Sequence, residues 1–307
     1  MDNPARLRWD GAVTAPDTAL DAFEEHRSTL TGVAYRMLGR FADAEDVVQE
    51  AWLRWSGADR GEVRDARGYL VRITTRLAID RLRRVQAQRE AYVGPWLPEP
   101  IATDFGDAVP DTAERAVLAD SVSLAVLVVL ESLSPLERAV FVLREAFGFP
   151  FSEIAGTLDR SEAAVRQLAR PRPAACGGAQ AALRRRPGRA ARPHRALPGR
   201  RCGGGSLEDL LALLAPDVRL VGDSGGKAKG PLRVMHTADK IGRFLLAVAK
   251  TPVPDAEFRF TEVNGGPALV VLSQGRPDTV CSLGIVDGRI AEIYLMRNPG
   301  KLTGVAA

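Results

Sequence analysis

The sequence predicts two all-α helical domains followed by an α+β domain, and three observations predict it. Apolar residues recur at spacings of three, four and seven between Leu20 and residue 88, and again between 112 and 170. β-like runs occur only in the last third, at 257–263, 268–273, 279–286 and 289–296. Stretches rich in Pro and Gly, at 93–111 and 171–205, separate these blocks. A chain of 307 residues has room for two or three domains, and 46% hydrophobic with 26% charged residues excludes wholesale disorder.

The elements follow in order. Residues 1–17 carry Pro4, Gly11 and Pro16 without periodicity and read as a loose tail. A first helix puts Phe23, Leu30, Val33, Ala34, Met37 and Leu38 on one face and stops at Gly39. A second, over 43–56, has the apolar stripe Ala44, Val47, Val48, Ala51, Trp52 and Trp55, with the two tryptophans read as core. A third, over 66–88, buries Tyr69, Leu70, Ile73, Leu77, Ala78 and Leu82 behind an arginine-rich face. After the linker, helical periodicity covers 112–132. Ser134, Pro135 and Glu137 then form a capping box that opens a helix ending at Gly148. A short helix from Ser152 turns at Asp159-Arg160 into another capped by Ser161, which is the pattern of a helix-turn-helix. Pro171 and Pro173 end that helix. Beyond Gly203-Gly204-Gly205 come a helix at 206–214, a strand at 218–221, a helix at 237–250 and the four β runs, the last two joined by an Asp287-Gly288 hairpin. This third unit reads as a curved antiparallel sheet packed on helices.

The formal charge of +4 is unevenly spread. No carboxylate lies between Glu162 and Glu208, whereas ten arginines lie between Arg170 and Arg201, so the remainder of the chain is net acidic. The basic balance is a property of one segment and is no sign by itself that the folded parts bind nucleic acid. That segment is nearly all Arg, Ala, Pro and Gly and cannot build a core. The expectation is a poorly ordered stretch, read in a shifted frame between two compensating indels over about 171–203, that compromises the end of the last helix. The apolar run at 125–130 is far too short to span a membrane, and Met1-Asp2-Asn3-Pro4 opens no secretory signal. Cys176, Cys202 and Cys281 are odd in number and have no C-x-x-C spacing, which argues against disulfides and a zinc site. The expected location is the cytoplasm, with no membrane partner.

The chain resembles a bacterial sigma factor of the extracytoplasmic-function type. The resemblance rests on Phe23–Leu38, on Asp43-Ala44-Glu45-Asp46-Val47-Val48-Gln49-Glu50-Ala51, on Tyr69 to Arg83, and on Leu133-Ser134-Pro135-Leu136-Glu137-Arg138 through the helix-turn-helix. It resembles further the subgroup with a fused SnoaL-like (cystatin-like cone) C-terminal domain, the sigma-J-like proteins. Three signatures carry this: Trp96-Leu97-Pro98-Glu99-Pro100, Asp223-Ser224-Gly225-Gly226-Lys227 and Asn298-Pro299-Gly300-Lys301-Leu302. Ser224 and Gly300 depart from the subgroup's usual D-G-G-G-K and N-P-D-K-L. The implied domains are sigma region 2 (18–92), a linker (93–111), sigma region 4 (112–170), the Arg/Ala/Pro/Gly segment (171–205) and the SnoaL-like domain (206–300).

The resemblance implies a site for each surface. Asp43, Glu45, Asp46, Gln49 and Glu50, otherwise a plain solvated helix face, would dock on the basic coiled coil of the RNA polymerase clamp, where complementary charge sets register. Arg72, Arg76, Asp80, Arg81, Arg83 and Arg84 would face the opened promoter −10 element, with the loop 57–65 capturing an extruded base; a solvated arginine face is the alternative. Ser161, Glu162, Arg166, Gln167 and Arg170 would meet the −35 element in the major groove. Trp96, Leu97, Pro98, Glu99, Pro100, Asp223, Gly225, Gly226, Lys227, Asn298, Pro299, Lys301 and Leu302 would set how the C-terminal domain docks as a built-in regulator. The implied partners are core RNA polymerase and promoter DNA, with no separate anti-sigma factor and no cofactor or metal. Two rival readings stand: a helix-turn-helix regulator acting without polymerase, and a SnoaL-like isomerase or hydrolase with a helical appendage. For the latter Asp223, His236, Asp239 and Cys281 are the polar candidates.

Overall fold

Three helices, α1 (Thr18–Leu38), α2 (Phe41–Ser56) and α3 (Ala66–Arg89), form the first bundle of the computed structural model. It describes residues 18–59, 63, 65–89, 91–103, 122–170 and 207–305. The expected tail, the Arg/Ala/Pro/Gly segment and residues 112–121 of the helix expected at 112–132 lie outside the described residues. The described part corrects that helix, which begins only at Leu124 because Ser123 is extended (ψ 150°) and caps it by accepting from the Val126 N–H. The α2 stripe is buried as its spacing requires, with Trp55 donating its indole N–H to the Ala19 carbonyl at 2.8 Å. Trp52 is half-buried and meets Phe23 edge-on, ring centroids 5.1 Å apart. The second half of α1 is buried on every side: Thr31, Tyr35 and Arg36 join the predicted stripe.

The second helical unit comprises α4 (Leu124–Leu130), α5 (Pro135–Phe141), α6 (Phe151–Leu158) and α7 (Glu162–Leu168). The capping box forms as read: the Ser134 hydroxyl accepts from the Glu137 N–H while the Glu137 carboxylate accepts from the Ser134 N–H. The helix continues past Phe141 as one π-helical turn, Val142–Ala146. Asp159 takes a left-handed conformation (φ 57°) between α6 and α7, and the Ser161 hydroxyl caps α7 by accepting from the Ala164 N–H at 3.2 Å.

The C-terminal unit is α8 (Leu207–Leu213), β1 (Leu214–Asp223), β2 (Met235–His236), α9 (Ala238–Ala249), β3 (Glu257–Val263), β4 (Gly266–Ser273), β5 (Arg276–Val286) and β6 (Arg289–Met296). Strand order is β2-β1-β6-β5-β4-β3. The sheet is open and mixed, which corrects the expected wholly antiparallel one: β1 runs parallel to β6, and the other pairs are antiparallel. β1 enters the sheet beside β6 from α8, far from β6 in sequence, so no hairpin dictates its direction. The β3–β4, β4–β5 and β5–β6 hairpins turn at Asn264-Gly265, Gln274-Gly275 and Asp287-Gly288, each with both residues at positive φ, as primed two-residue turns require.

One sheet face, with Leu220 and Ile293, packs against Ile241 of α9. The other, with Val270, Leu272, Val280, Tyr294 and Met296, shares one continuous core with the helical units. Between them runs the proline-rich linker. It is no loose spacer, because Leu97, Pro98, Glu99, Pro100, Ile101 and Ala102 are all buried. Two 3-10 turns, Pro299–Lys301 and Thr303–Val305, close the described chain.

Candidate functional site

Parts of the three sigma-J-like signatures, separated by up to 204 residues, meet at one buried clasp, while Gly226, Lys227, Pro299 and Gly300 are exposed beside it. Asp223, at the end of β1, is 1% exposed. Its carboxylate accepts hydrogen bonds from the Tyr92 hydroxyl, from the Leu97 N–H at 2.8 Å and from the Lys301 ammonium at 2.7 Å. Lys301, 3% exposed, also donates to the Leu97 carbonyl at 2.7 Å and lies 3.1 Å from the Trp96 ring centroid. A buried charge is tolerated only when paired and fully bonded, and here the aromatic face and the carbonyl complete the ammonium's shell. Asn298 donates to the Tyr92 hydroxyl at 2.7 Å and accepts from the Gly300 N–H at 3.0 Å. Gly225 must be glycine: its φ is +57°, and a Cβ there would fall 2.6 Å from Asn298 Nδ2. Ser224, the departure from the usual glycine, is buried with no partner for its hydroxyl.

The linker beyond the clasp is a strap. The Glu99 N–H donates to the Gly39 carbonyl at 2.8 Å, tying it to the end of α1, and the Glu99 carboxylate accepts from the Thr303 hydroxyl at 2.9 Å. Ala102 bridges antiparallel to Val263 at the sheet edge. Asn264 exchanges bonds with Ile101 and donates to the Tyr35 hydroxyl at 2.8 Å, so one side chain joins strap, sheet and α1. Tyr92, Tyr35 and Asn264 escaped the sequence reading, since only the partners' positions make them junction residues.

A second junction holds the helical units together. Arg138 is fully buried and donates to the Leu130 carbonyl at 2.8 Å and to the Met37 carbonyl at 2.6 Å, with Glu131 as its ion-pair partner at 3.1 Å. The Arg76 Nε donates to the Thr157 carbonyl at 2.9 Å, and the Arg67 guanidinium stacks over Phe149 at 4.7 Å. Helix α6 therefore lies against α3. Between them opens a cleft of about 640 Å³, lined by Asp59, Tyr69 and Arg72 from the first unit and by Phe149 and Glu153 from the second.

The predicted surfaces divide accordingly. On α2, Glu45, Asp46, Gln49 and Glu50 are exposed, with the Asp46 and Glu50 side chains 64% and 48% accessible. Asp43 departs from the expected docking face: it is buried and bonded to Arg81 at 2.6 Å. Arg81 is accordingly held by Asp43 and Asp46, and the Asp43 hydrogen bond raises its pKa. Arg76 and Arg81 thus serve internal contacts in this conformation, whereas Arg72, Asp80, Arg83 and Arg84 are exposed, the last two bonded locally to Asp80. Residues 60–62 and 64 of the loop expected to capture a base lie outside the described residues. At α7, Ser161 is spent on capping, and Glu162, Arg166 and Gln167 on the helix and Arg170 just beyond its end are exposed. The Glu162–Arg166 pair at 2.5 Å spans one helical turn. Such exposed pairs stabilise by only about 0.3–0.5 kcal/mol, so Arg166 is readily released to another anion.

The polar candidates for catalysis are not brought together. Asp223 is locked in the clasp; His236 is exposed on β2; Asp239 pairs with Arg243 on the surface of α9. Burial pushes the Cys281 thiol up to about 12, which disfavours the thiolate. Among the described residues no group of three His, Cys, Asp or Glu side chains is placed to hold a metal, and no helix is long and apolar enough to cross a membrane.

The family model of Sigma-70 region 2 matches residues 22–88 and that of Sigma-70 region 4 matches 123–170. The chain is 38% identical to "ECF RNA polymerase sigma factor SigJ" of Mycobacterium tuberculosis, covering 92% of each chain. It is 33% identical to "Probable ECF RNA polymerase sigma factor SigI" of the same species, covering 95% of this chain and 97% of that one. The crystal structure of M. tuberculosis SigJ superimposes with a TM-score of 0.69 at 33% identity, over 93% of this chain and 98% of that one.

Proposed function

The chain belongs to the extracytoplasmic-function (ECF) RNA polymerase sigma factors, and from that premise we propose how its surfaces are used and how its C-terminal domain restrains them. Sigma factors bind core polymerase and promoter DNA and perform no covalent chemistry. In our reading Glu45, Asp46, Gln49 and Glu50 meet the basic coiled coil of the polymerase clamp, with Asp43 supporting the face through Arg81. Arg72, Arg83 and Arg84 on α3 face the −10 strand and phosphates. Glu162, Arg166 and Gln167 on α7, with Arg170 just past its end, enter the −35 major groove. The site of action is the cytoplasm, where core polymerase resides.

The observation that carries the regulatory part is the clasp. A domain that only rode along on the chain would not commit a buried Asp223–Lys301 pair, a buried strap and Asn264 to the helical units. With α6 against α3, Arg76 is occupied and the Arg72 cleft is walled by Phe149 and Glu153. The C-terminal domain therefore favours an arrangement in which the −10 face is partly covered, and it takes the role of a separate anti-sigma factor. In vitro transcription with core polymerase tests this. A chain ending before Asn298 loses Lys301 and is expected to yield several-fold more promoter-specific transcript than the full chain; equal yields reject built-in restraint. Asp46→Lys/Glu50→Lys is expected to weaken binding to core polymerase at least about tenfold, and a parent-like affinity rejects the docking face.

A further inference from the structure

The loop from β1 to α9 carries no carboxylate between Ser224 and Ala238 but carries Lys227, Lys229 and Arg233, all exposed. In this domain Arg219, Arg243, Arg259 and Arg297 have a carboxylate partner, whereas Lys240, Lys250, Arg276 and Arg289 stand alone among the described residues and far apart in the chain, so three cations within seven residues are what sets this loop apart. Among the described residues Lys227, Lys229 and Arg233 have none. The absence has a local cause at Lys227: its Nζ lies 3.8 Å from where a Cβ at Gly300 would stand, so the neighbouring position that would supply a counter-charge holds no side chain. Like charges gathered without compensation repel one another, and they attract a polyanion over the range of a Debye length.

The loop's place in the fold says which polyanion. It packs on the three residues that follow α3 across Glu90 and Ala91: a Cβ at Gly225 would meet Tyr92, one at Gly226 would meet Val93, and Leu232 lies 3.5 Å from a Cβ at Gly94. The loop that bears the three cations therefore lies against the segment that leaves the C-terminal end of α3, the helix whose exposed residues include Arg72, Arg83 and Arg84. We propose that Lys227, Lys229 and Arg233 form a phosphate-contacting surface for duplex DNA, continuous with the DNA-facing side of α3, so that the C-terminal domain is itself part of the promoter footprint. This rests on the reading of α3 as a DNA-facing helix. Contacts of this kind position the duplex and do not read its sequence.

The salt dependence of DNA binding is the measurement. Each phosphate neutralised contributes about 0.9 to the slope of log K against log salt. The full chain, titrated onto a fluorescent 30-bp duplex between about 25 and 200 mM salt, is compared with Lys227→Gln/Lys229→Gln/Arg233→Gln, whose slope is expected to fall by about two to three. Gly300→Asp removes no cation but supplies a carboxylate to Lys227, and its slope is expected to fall by about one. Arg83→Gln/Arg84→Gln is the control for α3. A triple variant with the parent slope overturns the proposal. If the α3 variant then still lowers the slope, the reading of α3 survives alone; if neither variant lowers it, both fail. A triple variant that keeps the slope but loses affinity for core polymerase assigns the loop to a protein surface and equally overturns the proposal.

Discussion

Asp223 and Lys301 are each nearly inaccessible to water, so neither charge can be shed onto solvent when its partner is removed. Lys301→Met leaves a buried carboxylate opposed only by neutral donors, and the expected cost is about 3–5 kcal/mol. Asp223→Asn has a similar effect, and the double variant recovers part of it because it buries no lone charge. Thermal melts of the four proteins, read as a double-mutant cycle, should show coupling of at least about 1 kcal/mol; purely additive losses would mean that the pair does not act as a unit. Ser224 is the opposite case. Its buried hydroxyl has no partner, so Ser224→Ala should stabilise the clasp by about 1 kcal/mol, seen as a higher melting temperature. The three signatures are legible as strings only through the resemblance to the sigma-J-like subgroup, and Asp223 and Lys301 do converge on Leu97 and Trp96. What the strings did not carry was Tyr92, an ordinary tyrosine at the end of region 2 until Asp223 and Asn298 are placed on either side of its hydroxyl.

Helix boundaries followed from periodicity and caps, with α3 and α2 read to within two residues at each end. The burial of second faces did not. On α3, Thr74, Thr75, Val71 and Ile79 are buried beyond the predicted stripe because α5 and α6 pack on it in addition to α1 and α2, and Arg76 is drawn into a backbone contact with α6. An amphipathic pattern reports one apolar stripe; a neighbour 81 residues later in the chain leaves no mark on it beyond a slightly wider one. Arg138 shows the same limit. In sequence it is one more charged residue after a capping box, yet in the fold its guanidinium spans the Leu130 and Met37 carbonyls and Glu131. The fork geometry suits several acceptors at once, which a lysine ammonium on a single stem does not reproduce. Arg138→Lys is therefore expected to cost about 2–4 kcal/mol at the junction of the helical units and to raise amide exchange at residues 37–40 selectively. Unchanged exchange there would show that Arg138 does not hold α1. The parallel β1–β6 pairing was illegible for a related reason: alternation reveals that a strand is half-buried, not which neighbour it takes.

At the scale of the molecule, the strap makes one body of parts that a domain count treats as separate. Residues 97–102 are covered by the helical bundle on one side and by the sheet and final turns on the other, so none of the three units presents a finished surface alone. There is a temporal corollary. Leu97 and the residue that closes over it, Lys301, are 204 positions apart in the chain. At ribosomal speeds of about 5–20 residues per second, that interval takes about 10–40 s to synthesise. For that time the newly made bundle is already outside the ribosome while its cover does not yet exist. A cell that makes this protein thus makes each copy unclosed first, and a polymerase that encounters the nascent chain early meets it before the restraint has been translated.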